Sequence, residues 1–422
     1  RMFGSSGHRS ILRIGPAGER GAATACINAD TYRHFGRLGG GGVMGTKNLK
    51  AVVIIGDKVF DLPEGDDYGK LYREVYRKIT DTDIMKKYHD LGTPANVASL
   101  NEIRALPIRN LLQTTDPEMA GITGERFASD TLLRNHACSG CPVGCIHVGY
   151  VRERFTQENR YFYLQVSYDH EPVFAVGSML GVTNCFAVLG IIDAVEKVGI
   201  DVMSAGVCLA WATEATEKGL ISEKETLVPL RFGDAPGYRQ AVHHLGTGTN
   251  DFYRLLAQGM HGTTTRYGGD DFACVLGQEM AGYATGEVFF ISQALGFRHS
   301  HLDSAGYSFD QKTTEKDVNK AVDFLLKDER ERVLLTSMVS CLFARNVYTN
   351  EIVSDCLRSL GYDNLAARLD SISSHAQQLR WNLRFASGFN PDEVTIPKRF
   401  GEVTTVKGPI DLSYLNSLKK EY

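Results

Sequence analysis

The sequence predicts a mainly α fold with an N-terminal β-containing segment. Three observations carry this reading. Short β-branched runs are confined to the first sixty or so residues; apolar residues recur at i, i+3, i+4 and i+7 through most of the remainder; and Gly or Pro closes nearly every periodic stretch. The chain has 422 residues, 43% of them apolar and 23% charged. That is globular composition, with length for about two or three domains. Lys and Arg number 46 against 50 Asp and Glu, a net charge of −4, which argues against a nucleic-acid partner. No apolar run approaches the ~20 residues of a membrane helix, so no membrane partner is expected, and no secretory leader is read.

In chain order, 10–14 reads as a strand closed by the turn cluster Gly15-Pro-Ala-Gly18, and 49–55 as a second strand closed by Gly56. Between them lies the loop Gly36-Arg-Leu-Gly-Gly-Gly-Gly-Val-Met-Gly-Thr-Lys47. Tyr68, Leu71, Tyr72, Val75 and Ile79 mark one face of a helix. A polar loop around a cysteine cluster follows, then mixed aromatic segments over 161–176. Helices are expected over 184–197, ending at Gly199, and over 201–218, capped by Asp201. Further helices are read over 251–260, with Asp251 as cap, 314–326 and 330–347. The tail 387–422, with Gly388, Pro391, Pro397, Gly401 and Gly408, is expected to be extended or looped. Soft domain boundaries fall near Val59–Pro63 and Gly268–Phe272.

Gly40-x4-Gly45-Thr46-Lys47 is a near miss to a phosphate-binding P-loop. The Lys does not directly follow the last Gly, and the loop precedes a strand instead of following one, so nucleotide hydrolysis is rejected. Four consecutive glycines beside Arg37 and Lys47 can still bring backbone N–H groups to an anion; the alternative is a plain surface turn.

Nine cysteines is an odd count, and three of them crowd into Cys138-x2-Cys141-x3-Cys145. That spacing indicates metal chemistry in a reducing compartment. A [4Fe–4S] cluster would need a fourth Cys from elsewhere, with Cys341 the distant candidate. Zinc is the alternative, with His147 or His136 completing a Cys3His site. Cys26, Cys185, Cys208, Cys274 and Cys356 are expected to be inert.

Several motifs together resemble the tungsten-dependent aldehyde:ferredoxin oxidoreductase family. They are Ile14-Gly-Pro-Ala-Gly-Glu19, the glycine segment through Ala51, Gly92-Thr-Pro-Ala-Asn96, Ala105-Leu-Pro-Ile-Arg-Asn110 and the cysteine loop. Gly199-Ile-Asp-Val-Met-Ser-Ala-Gly206, Leu383-Arg-Phe-Ala-Ser-Gly-Phe389 and Ile396-Pro-Lys-Arg-Phe400 extend the likeness almost to the end.

The resemblance implies an anaerobic, cytoplasmic enzyme that oxidises an aldehyde to a carboxylic acid, or the reverse. It implies a tungsten bis-pyranopterin (tungstopterin), a Mg2+ ion bridging the pterin phosphates and a [4Fe–4S] cluster. Ferredoxin or an iron–sulfur partner subunit would take the electrons, in a homodimer or a larger complex. Cys138, Cys141, Cys145 and Cys341 would hold the cluster. Arg37, Leu38, Gly39 and Gly40 would meet the cofactor's phosphates, and Glu196, Gly199, Ile200 and Asp201 a pterin. Glu171 would take a proton from substrate water. His301, preferred to His299 because Leu302 matches the family, would hydrogen-bond the carbonyl oxygen.

The second pterin motif departs from the family, with Thr336 in place of Asp and Val339 in place of Gly. Residues 1–60 would be the end of an N-terminal pterin-binding β domain, most of which has no counterpart before Arg1. Residues 61–270 would form a helical domain with three cluster cysteines, and 271–422 a C-terminal helical domain with the fourth. Two other readings stay open: a non-catalytic iron–sulfur electron-relay subunit of a larger redox complex, and a zinc-stabilised helical scaffold.

Overall fold

The computed structural model describes residues 9–30, 33–58, 61–63, 66–154 and 161–422. The boundary expected near Val59–Pro63 lies partly outside them. The mainly α class with an N-terminal sheet is what the chain adopts. β1 (Arg9–Arg13), β2 (Asn28–Ala29), β3 (Arg33–His34) and β4 (Ala51–Ile55) form one antiparallel sheet in the order β3-β2-β1-β4. The β1–β4 register runs from Arg9 opposite Ile55 to Arg13 opposite Ala51.

Backbone bonds tie this sheet to the helical body. Ala25 bridges Ile200, Cys26 N–H donates to the Gly199 carbonyl, and Asp201 N–H donates to that of Thr24. The helix Val202–Glu217 is the axis of the core; every residue from Ser204 to Ala215 is buried. The Cys185–Val198 helix packs beside it. It is capped by Asn184, whose side chain accepts from Ala187 N–H, and closed by Gly199 at φ +75°. No single helix among the described residues is long and apolar enough to cross a membrane.

Two of the sequence motifs form a structural clasp. Within it Asn110 Nδ2 donates to Glu214 Oε2 at 2.7 Å, Arg399 Nη2 donates to Glu214 Oε1 at 2.6 Å, and Arg399 Nη1 donates to the Asn110 carbonyl at 2.9 Å. Both carboxylate oxygens of this buried ion pair accept a hydrogen bond, and the pair joins the tail to the core, while Arg399 Nε and Asn110 Oδ1 are buried without one.

The structure corrects several element assignments. Residues 132–168, read as loop and mixed aromatic segments, hold a second antiparallel sheet: β5 (Leu132–His136), β6 (Ile146–Arg154) and β7 (Tyr161–Tyr168). The glycine segment is a helix, Gly40–Thr46, entered through Leu38 and Gly39 in left-handed conformation. Its glycines are there for contact: a Cβ at Gly41 would strike the Cys26 carbonyl, at Gly42 that of Ala22 and at Gly45 that of Gly18. The helices read over 314–326 and 330–347 are largely one, Val318–Ser337, because no Gly or Pro interrupts it; Asp317 caps it. The 251–260 helix breaks at Gly259 (φ +97°) into Asp251–Leu256 and Met260–Tyr267, and its cap is Asn250 instead of Asp251. The tail folds back as the helix Leu412–Glu421, started by Asp411.

Candidate functional site

Arg37 is the hub of a buried polar cluster. Its Nε donates to Asp201 Oδ2 at 2.7 Å, Nη1 to the Glu279 carbonyl at 2.9 Å and Nη2 to Ser204 Oγ at 3.1 Å; Nη2 also lies 3.5 Å from Glu279 Oε2. Asp201 caps the Val202–Glu217 helix by accepting Ser204 N–H at 2.9 Å. Burial alone would raise the Asp201 carboxyl, but the Arg37 charge and the Ser204 donors hold it below the usual carboxylate range.

Glu171 sits in the first turn of the helix His170–Val176, and its Oε2 accepts Gly282 N–H at 2.8 Å. Burial pushes this carboxyl up to about 7, against the pull of the Gly282 donor and Arg37. His301 Nε2 lies 3.3 Å from Glu171 Oε1. Burial, then the Arg332 charge, push its imidazole down to about 3, so it is neutral near pH 7. The contact is therefore not an ion pair, and Oε1 of Glu171 remains buried without a hydrogen bond, as does Nδ1 of His170. Tyr283 packs against His301 at 5.4 Å, His170 at 5.1 Å and Tyr307 at 4.9 Å between ring centroids. His299 faces elsewhere, toward Arg384.

Glu196 lies at the end of the Cys185–Val198 helix and accepts from His34 Nε2 at 2.6 Å and Asn28 Nδ2 at 3.0 Å. Gly199 and Ile200 serve the backbone ladder to 24–26; a Cβ on Gly199 would meet the backbone of Gly15. The glycine segment and the 196–201 turn are thus brought together. Thr336 turns back into its own helix, where its hydroxyl donates to the Arg332 carbonyl at 2.7 Å.

Three of the four cysteines share one loop, and Cys341 reaches them from a distant stretch. Cys138 and Cys341 are exposed; Cys141 and Cys145 are half-buried and pack on a small apolar cluster of Ile79, Met85, Val143, Ala344 and Val347. Burial, then the neighbouring sulfur of Cys341, push the Cys145 thiol up to about 12. Among the described residues no three His, Cys, Asp or Glu side chains are grouped around a single-ion site. His147 does not complete a zinc site. Its Nε2 lies 2.8 Å from the His89 carbonyl and its Nδ1 3.1 Å from the Tyr168 hydroxyl, so both ring nitrogens are engaged.

Family models for aldehyde ferredoxin oxidoreductase match the chain twice: the N-terminal domain over residues 2–56, and domains 2 and 3 over residues 70–422. The chain belongs to the aldehyde ferredoxin oxidoreductase family. The tungsten-containing aldehyde ferredoxin oxidoreductases of Pyrococcus abyssi and Pyrococcus furiosus are 26% and 27% identical to it over 95% and 94% of its length, which spans 68% and 67% of theirs. The WOR-like subunit of an aliphatic sulfonate oxidoreductase from P. furiosus is 27% identical over 60% of this chain and 39% of its own. Among solved structures, the active site complex BamBC of benzoyl coenzyme A reductase superposes with a TM-score of 0.70 at 15% identity. That match covers 93% of this chain and 68% of that one, and shows a shared fold.

Sequence reading did not single out Ser204, Glu279, Tyr283, Arg332 or His34. Ser204 lies inside a quoted motif, three residues after Asp201, and is the one member that N-cap logic could have reached. Glu279 joins through long-range packing, which no spacing announces.

Proposed function

We propose that this chain is a tungstopterin oxidoreductase that converts an aldehyde and water into a carboxylic acid, or runs the reverse. The two electrons would leave singly through a [4Fe–4S] cluster to ferredoxin or an iron–sulfur partner subunit. The observation that carries the reading is Glu171 beside His301, a carboxyl near neutrality against a neutral imidazole, with a polar atom left unbonded in a buried site.

When bound, the tungsten centre supplies the two-electron redox step. Glu171, ionised above about pH 7, accepts through Oε1 the proton released as water attacks the aldehyde carbon, while the Gly282 N–H holds Oε2 in place. His301, donating from Nε2, orients the carbonyl oxygen. Tyr283 and Tyr307 keep the pair dry. Asp201 has Oδ2 committed to Arg37 and Ser204, which leaves Oδ1 for a pterin nitrogen. The Arg37 charge is already met by Asp201 and Glu279. Phosphates and their Mg2+ at this corner would therefore be received by the backbone of Leu38, Gly39 and Gly40, with Glu196 and His34 beside the Gly199–Ile200 turn. Cys138, Cys141, Cys145 and Cys341 hold the cluster.

The experiment is anoxic purification with tungsten and iron analysis, then dye-linked aldehyde oxidation. Stoichiometric tungsten with turnover supports the proposal. The turned-back Thr336 hydroxyl favours a second reading, a non-catalytic electron-relay subunit. Iron without tungsten, and no turnover, would select it.

A further inference from the structure

The segment that sets His301 beside Glu171 also walls an open groove of about 530 Å3, lined by Leu38, Phe297, Arg298, His299, Arg384 and Phe389 among others. Leu38 adjoins Arg37 and His299 precedes His301 by two residues, so two stretches of chain that line the groove also carry residues of the candidate site. Arg298 is close enough to help depress the His301 imidazole.

The carboxylates of this wall are already engaged. Asp303 is buried and shared: Oδ1 takes Arg298 Nε at 2.7 Å and lies 3.5 Å from Arg380 Nη2, while Oδ2 takes Arg298 N–H at 2.6 Å. Glu329 accepts from Gln377 Nε2 at 2.7 Å and Trp381 Nε1 at 3.1 Å. Arg384 feels the charges of Asp303 and Glu329, but its own hydrogen bonds go to neutral groups. Its Nη1 donates to the Gly296 carbonyl and its Nη2 to His299 Nε2 at 2.6 Å. A guanidinium stays protonated, so His299 Nε2 must accept, and its Nδ1–H then donates to the Gln293 carbonyl at 3.1 Å. His299 is therefore neutral, and among the described residues no carboxylate forms an ion pair with Arg384. The guanidinium lies 3.6 Å from the Phe389 ring centroid and 5.3 Å from that of Trp381. A half-buried guanidinium with no ion-paired carboxylate, held against aromatic rings, is suited to a planar anion with an apolar body.

We propose that Arg384 receives a carboxylate carried by the substrate at the end remote from its reacting carbon. The substrate class is then aldehydes that bear a carboxylate, their apolar body lying between Phe297 and Phe389. The remote carboxylate is unchanged by the reaction. The substrate assignment rests on the proposed aldehyde chemistry at Glu171 and His301; the binding of an anion to Arg384 does not.

The test separates the two. The chain has two tryptophans. Trp211 is wholly buried in the core, so Trp381 can report on the groove. In low-salt buffer, benzoate should quench Trp381 emission saturably and the neutral benzamide should not. Arg384→Gln should weaken benzoate at least tenfold, and Arg384→Lys, which keeps the charge without the planar fork, should fall between. Equal responses to benzoate and benzamide, or unaltered benzoate affinity in folded Arg384→Gln, would overturn the proposal. In the metal-loaded enzyme, the kcat/KM ratio of 4-carboxybenzaldehyde to benzaldehyde should drop at least tenfold with Arg384→Gln. If wild type oxidises neither aldehyde yet binds benzoate through Arg384, the aldehyde reading fails and the anion site stands. If it oxidises both equally and binds no benzoate, the anion site fails alone.

Discussion

Oε1 of Glu171 lies 3.3 Å from Nε2 of His301 with no hydrogen bond between them. Burial drives both toward their uncharged forms, the carboxyl up to about 7 and the imidazole down to about 3. Between those values the pair is neutral. Above about pH 7 a carboxylate faces a neutral imidazole, the state in which a proton can be accepted beside a hydrogen-bond donor.

Glu171→Gln keeps shape and polarity but cannot accept that proton. Steady-state aldehyde oxidation should fall by about 10²–10⁴ in kcat with tungsten and iron unchanged. In wild type the rate should climb as pH rises through about 7. Stability should show the opposite limb. A carboxyl raised from 4.5 to about 7 contributes stability that is complete below 4.5 and lost as pH rises through 7, roughly 3 kcal/mol in all. Denaturant melts of Glu171→Gln between pH 4.5 and 7 should lack that decline.

Arg37→Met should leave Asp201 and Glu279 buried and facing each other without their cation. Removing one partner of such a site costs about 3–5 kcal/mol, which guanidinium unfolding would measure. Wild-type Asp201, held below 3.8, contributes stability present above that value and lost as pH falls. The variant should begin its acid unfolding at higher pH. An unchanged midpoint at pH 7 would mean that the Arg37 contacts are dispensable.

The glycines of the 40–46 helix should separate by role. Gly45→Ala drives a methyl into the Gly18 carbonyl and should lower Tm or prevent folding. Gly40→Ala meets only the Ile27 side chain, 3.3 Å away, and should leave the melt nearly unchanged. If phosphates approach that backbone, its tungsten occupancy should nevertheless drop while iron is retained.

Cys341→Ala should abolish or convert the iron–sulfur signal in electron paramagnetic resonance and lower iron content. Cys185→Ala, at the buried start of a core helix, should keep both. His147→Gln should cost stability without loss of iron, since both its ring nitrogens serve the fold.

Much of this architecture was legible in local patterns. Asn184, Asp201 and Gly199 fixed the two central helices because caps and left-handed glycines act within one turn of backbone. The three clustered cysteines and the strands around Ile11 and Val53 were visible for the same reason, since their chemistry or pairing tendency lies in adjacent residues. The β5–β7 sheet was not legible. Its residues mix charged and aromatic side chains, and its stability comes from cross-strand pairing and from the Cys185–Val198 helix against it.

The sequence by itself determined the family and the two central helices, and it proposed the cysteine set and the candidate residues Glu171, Asp201 and His301. Only the tertiary structure decided what those residues meet. It turned Arg37 inward onto Asp201 and Glu279, made a packed helix of the glycine segment, engaged both nitrogens of His147 and gave Arg384 hydrogen bonds to neutral groups. The reason is physical. Capping and periodicity are set by neighbours along the chain, whereas the charge a side chain finally carries depends on burial and on partners that arrive from far along it.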